Sequence, residues 1–88
     1  MQIIIDSHTL QRARERGASK DEITDTLRTG TLSVAKQGRK SKSKAYDFNA
    51  EWCGKRYEQN QIVVIFTEQG NTVITVTVYV FYGKWNEV

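Results

Sequence analysis

The sequence predicts an α+β domain in which two N-terminal helices, folded as a hairpin, lie on one face of a roughly four-stranded antiparallel sheet. Three observations carry that reading. Up to Thr29 the apolar residues recur at helical spacing, as in Ile23 and Leu27. From Thr31 the period falls to two, and β-branched and aromatic residues dominate. Glycines and capping residues stand where the helical stretches should begin and end. The 88 residues hold no proline, repeat or low-complexity linker, so the expected organisation is one domain over residues 1–88.

Met1 to Ile5 reads as a short extended lead-in whose isoleucines cover the edge of the core. Asp6 and Ser7 supply N-cap oxygens for a first helix that starts at Ser7 or His8. Gly17 ends it, since a left-handed C-terminal position is easiest without a Cβ. Ser19-Lys20-Asp21-Glu22 is a capping box and opens a second helix from Lys20 to about Thr29, stopped by Gly30. The tight Gly17-Ala18 link makes the two a helical hairpin.

Leu32 to Lys36 forms a first strand, Gln37 to Ser41 a polar turn, and Lys42 to Phe48 a returning strand. Asn49 to Gly54 reads as a loop, and Lys55 to Glu58 as a weak strand or strand extension. Gln61 to Thr67 is apolar on both faces and belongs in the middle of the sheet. Glu68 to Asn71 is a hairpin turn. Thr72 to Tyr82 is the longest strand, with Ile74, Val76, Val78 and Val80 expected under the helices. Its other face, Val73, Thr75, Thr77, Tyr79 and Phe81, is expected to stay partly open.

A 39% apolar and 26% charged composition fits a soluble globular chain and is too apolar for a disordered one. The single Cys53 excludes an intrachain disulfide, which points to a reducing cytoplasm. No apolar run has the length of a signal or a membrane span, so neither secretion nor membrane insertion is expected. The net charge is only +3, but Lys36, Arg39, Lys40, Lys42 and Lys44 fall within nine residues. Such a cluster attracts phosphate backbones at long range. A solvated loop kept soluble by its lysines is the other reading of it.

Metal-ligand spacing and phosphate-cradling glycine loops are absent from the sequence, so no cofactor is expected. A His8–Cys53 nucleophile pair competes with Cys53 as a small buried hydrophobe. The sharper constellation is His8, Arg12, Glu15 and Arg16, which share one face of the first helix at 100° per residue. Ribonucleases that use the RNA 2′-hydroxyl as nucleophile need proton-transfer groups and cations against the phosphate. Imidazole is the side chain best suited to proton transfer at neutral pH, so the only histidine fits the first role; arginine forks fit the second. His8, Arg12 and Arg16 are therefore the catalytic candidates. Equally open is a structural role, with Arg12 or Arg16 paired to Glu15, Asp21 or Glu22 to lock the helical hairpin.

The stretch His8-Thr9-Leu10-Gln11-Arg12-Ala13-Arg14-Glu15-Arg16-Gly17-Ala18-Ser19 resembles H-x-x-x-R-x-x-x-R-G-x-S, the motif that opens the domain of unknown function 4258 family. That family is grouped by fold with RelE-type and BrnT-type toxins of toxin–antitoxin pairs. The resemblance covers most of the chain. It implies a RelE-like topology, RNA as ligand with or without the ribosome, metal-independent endoribonuclease activity, and a cognate antitoxin as partner. It also makes Tyr79, Phe81 and Lys84 candidates for RNA contact, alongside the Lys36, Arg39, Lys40, Lys42 and Lys44 cluster. A non-catalytic nucleic-acid- or protein-binding module of the same fold is the alternative function, and a stand-alone structural or regulatory protein a third.

Overall fold

The computed structural model describes residues 1–85. The chain runs β1 (Gln2–Ile4), α1 (Ser7–Arg16), α2 (Lys20–Thr29), β2 (Thr31–Val34), a 3-10 turn (Lys36–Gly38), β3 (Lys40–Trp52), β4 (Lys55–Gln69) and β5 (Thr72–Gly83). The strands form one five-stranded sheet in the order β1-β5-β4-β3-β2. The expected α+β class holds, but the sheet is mixed and has a fifth strand. Gln2–Ile4 is that strand, and it pairs in parallel with Thr72–Ile74 of β5. All other neighbours are antiparallel.

Both helices begin and end where the side chains dictate. The Asp6 carboxylate accepts from the Thr9 amide at 2.9 Å and caps α1. Gly17 closes that helix at φ 86°. A Cβ there would stand 2.5 Å from the Tyr82 hydroxyl and 2.9 Å from the Trp52 ring, so glycine is required for space as well as for conformation. At Ser19 the capping box is complete: its hydroxyl accepts from the Glu22 amide, and Glu22 accepts from the Ser19 amide.

The core lies between the helices and one face of the sheet. Ala13 of α1 and Ile23 and Leu27 of α2 meet Ile62, Val64 and Phe66 of β4 and Val73 and Val78 of β5. On β5 the expected face holds only in part. Ile65 pairs with Thr77 and Phe66 with Thr75, which leaves Val76 as the extra residue of a bulge. A one-residue insertion exchanges the two faces. Val73 and Thr75 therefore point into the core before the bulge, in place of Ile74 and Val76, whereas Val78 and Val80 do so after it. Thr75 is buried because its hydroxyl is satisfied: it accepts from the Asp6 amide and donates to the Thr9 hydroxyl at 2.9 Å.

The stretch read as a loop between two strands is instead part of a long hairpin. β3 continues through Asn49, at φ 47°, where the register with β4 shifts between Asp47 and Ala50. The turn is only Cys53-Gly54, both with positive φ. At this end Trp52 stacks on Tyr82 with ring centres 4.9 Å apart, while Phe48 and Tyr57 lie 5.2 and 5.5 Å from the same ring. The Tyr82 hydroxyl donates to the Arg16 carbonyl and ties the group to the end of α1.

Candidate nucleic-acid interface

The charged stripe of α1 splits into different environments. His8 is exposed in the first turn. Arg12 is held by Glu15 at 2.7 Å, an i,i+3 pair in which both side chains remain substantially exposed. Arg16 turns toward the sheet. On the outer side of β5, β1 pairs only as far as Ile74. Beyond it Arg16 donates to the Val78 carbonyl at 2.6 Å, and its guanidinium lies over the Tyr79 ring, 5.1 Å from the centre.

Tyr79 belongs to the sheet face opposite the helices. Thr77, Tyr79 and Phe81 share that face with their β4 partners Ile65, Val63 and Gln61. Tyr79 is 43% and Phe81 51% exposed, so aromatic surface stays available on the side the helices leave bare. A hollow of about 450 Å³ opens there, lined by Ile65, Tyr79, Ala35, Lys36, Gln37 and Arg39. The 3-10 turn sets its rim. Ala35 donates to the Arg39 carbonyl at 2.8 Å, and Gln37 and Gly38 both take positive φ, 62° and 72°.

The basic cluster is divided by strand periodicity. Lys40, Lys42 and Lys44 alternate along β3 and pair with Phe66, Val64 and Ile62, which places them on the helix side. Lys42 donates to the Leu27 carbonyl at 2.6 Å, and Lys44 to Asp25 at 2.7 Å and to Thr29. Lys40 pairs with Glu68 at 3.0 Å and Lys84 with Glu58 at 3.3 Å. Only Lys36 and Arg39 of the cluster border the hollow, and among the described residues neither has a carboxylate within 4 Å. The structure thus brings together Arg16, Lys36, Arg39 and Tyr79, with Phe81 further along the same face. Lys40, Lys42, Lys44 and Lys84 instead have carboxylate, hydroxyl or carbonyl partners.

Gln37 and Ile65 were not singled out in the sequence. Ile65 was legible only as a strand residue, and nothing in a Lys-Gln-Gly tripeptide announces a left-handed glutamine. Cys53 is exposed at the β3–β4 turn rather than buried beside Trp52. Among the described residues no group of three or more His, Cys, Asp or Glu side chains is placed to hold a metal ion. None of their helices is long and apolar enough to cross a membrane.

The titratable groups with shifted pKa values sit on the helix side. The Lys44 and Tyr46 hydrogen bonds hold the Asp25 carboxyl below its usual range. Burial pushes the Tyr46 phenol up to about 12, helped by the Asp25 carboxylate to which it donates at 2.7 Å. Partial burial raises the Asp6 carboxyl, but its hydrogen bonds with Thr9 and Thr75 outweigh this and leave it below its ordinary value. These groups fasten helices to strands and lie away from the hollow's lining.

Comparison with known proteins returns a family without an assigned activity. No curated protein matches the chain, and no solved structure does. The family model described as Domain of unknown function (DUF4258) matches residues 5–80, from just after β1 through most of β5. The chain belongs to that family.

Proposed function

We propose that the chain is a toxin-like RNA-binding protein of the RelE fold group, and that it takes RNA on the sheet face its helices leave open. One observation carries this: the Arg16 guanidinium over the Tyr79 ring, beside a hollow rimmed by Lys36 and Arg39 without carboxylate partners among the described residues. Cations next to an exposed aromatic ring supply the two contacts that RNA-binding surfaces combine, phosphate neutralisation and base stacking. The helical hairpin followed by an antiparallel β2–β5 meander supports the fold-group assignment.

Binding by labelled RNA at several salt concentrations tests the proposal. The wild-type affinity should fall steeply with salt, and Lys36→Ala and Arg39→Ala should each reduce the logarithmic slope by about one. Salt-independent or absent binding overturns it.

A cleavage reading is favoured by one further observation, the exposed His8 imidazole on the same helix stripe as Arg16. Eight residues of helix separate the two by about 12 Å along the axis, so a single phosphate does not span them without Arg12 leaving Glu15. Strand scission in the presence of a chelator, lost in His8→Ala and in Arg12→Ala with binding retained, would establish it as metal-independent. Intact RNA would leave a binding protein, whose growth arrest on induced expression is the corresponding test in cells. A neutralising antitoxin would, on either reading, cover this face.

A further inference from the structure

We infer that the hollow between the Lys36–Gly38 turn and Tyr79 is a pocket for one unpaired nucleobase, with the flanking phosphates on Lys36 and Arg39. The inference rests on the RNA-binding reading above and narrows it to single-stranded substrate.

A volume of about 450 Å³ is in the range of small-ligand pockets. A base inside a duplex is stacked on both sides and cannot enter such a hollow, whereas a splayed-out base can. The walls suit a flat ring. Ile65 gives apolar contact, and Tyr79 gives an aromatic surface that stays 43% exposed with Arg16 over it. The rim carries an amide. Gln37 lines the hollow and holds φ 62°, a conformation that a non-glycine residue adopts at a cost. Its side chain offers two donors and an acceptor, the complement of a base edge. Glycine in that place would relieve the backbone and lose the amide, so the strain sits on the residue that has something to read with. An acidic peptide would also be drawn by Lys36 and Arg39, but it has no use for a ring-lined slot with an amide at its lip.

The full chain is titrated into fluorescein-labelled rU, rC, rA and dT strands of about ten nucleotides and into an RNA hairpin whose two strands are joined by a non-nucleotide linker, so that every base is paired, with anisotropy as readout. Single-stranded RNA should bind at least about tenfold tighter than the hairpin, and Tyr79→Ala should lose about tenfold on the single strands and little on the hairpin. Tyr79→Phe should keep the wild-type affinity. Gln37→Gly, which preserves the left-handed turn, should bring rU, rC and rA to nearly equal affinity. Equal binding of dT and rU supports the pocket and assigns recognition to the base rather than the sugar. A hairpin bound as tightly as the single strands, with Tyr79→Ala weakening both alike or neither, overturns the pocket; if Lys36→Ala and Arg39→Ala still weaken both, the broader RNA reading survives. Capture of an acidic peptide without any oligonucleotide binding overturns both.

Discussion

Replacing Gly17 by alanine should destabilise the fold by more than the conformational cost of a left-handed residue. Gly17 sits at φ 86°, where a Cβ costs about 1–2 kcal/mol. The added methyl would also stand 2.5 Å from the Tyr82 hydroxyl and 2.9 Å from the Trp52 ring, both too close to persist. The stack must move, which breaks the Tyr82–Arg16 hydrogen bond, about 1 kcal/mol, and loosens the 4.9 Å Trp52–Tyr82 pair, about 0.5–1.5 kcal/mol. The loss should total about 3–4 kcal/mol. Gly70 provides the control: it has φ 59° and open space where its Cβ would go, so Gly70→Ala should lose only the conformational part. Urea denaturation of the two variants, followed by circular dichroism, isolates the packing contribution as a difference of about 2 kcal/mol, or roughly 8–16 °C in Tm for a chain of this size. Equal destabilisation of the two variants would refute the idea that the aromatic group is locked against the end of α1.

Tyr46→Phe should change the alkaline limb of stability. The folded-state phenol titrates near 12 against 10.0 for the free group, so its contribution is intact below pH 10 and is lost as pH rises toward 12. The wild type should therefore weaken across that window relative to Tyr46→Phe, and parallel curves in thermal melts would count against the Tyr46–Asp25 bond. Asp6→Ala removes the carboxylate that caps α1 and accepts from the Thr75 hydroxyl at 3.3 Å, while the Asp6 amide bond to Thr75 stays, and should destabilise by about 1–2 kcal/mol at neutral pH. Because the Asp6 pKa is lowered on folding, the contribution of that carboxylate is present above its unfolded value of 3.8 and fades as pH falls below it, so wild type and variant should converge in acid.

The helices were legible because their ends are chemical signals: Asp6, Gly17, the Ser19–Glu22 box and Gly30 each act within four residues of themselves. The first strand was not, because its only partner lies some 70 residues later and three residues carry no periodicity of their own. The face of β5 failed at Val76 for a related reason. A bulge is a property of the pairing with β4, and the alternation of Ile74, Val76, Val78 and Val80 runs on unbroken through it. For the candidate interface, Arg16 and Tyr79 were named separately, one as a cation against phosphate and the other as an RNA contact, and the fold supplies their contact. Lys42 and Lys44 show the opposite. A run of lysines looks like one patch until strand geometry turns alternate residues toward a helix that has carbonyls and Asp25 to offer.

The parallel pairing of β1 with β5 also orders events in time. Gln2–Ile4 cannot be fixed until Thr72–Ile74 exists to receive it, and α1 packs chiefly on β5. During synthesis the helical hairpin emerges first yet has no surface to cover, whereas the β2–β3–β4 meander can zip as it appears. Such long-range closure slows folding, since the entropy of the large loop is surrendered before its contacts repay it. The last strand to be made is thus the one that completes the core, seats Arg16 and supplies Tyr79. Core closure, the Arg16 seat and the open-face aromatic thus share one dependence, the pairing of β5.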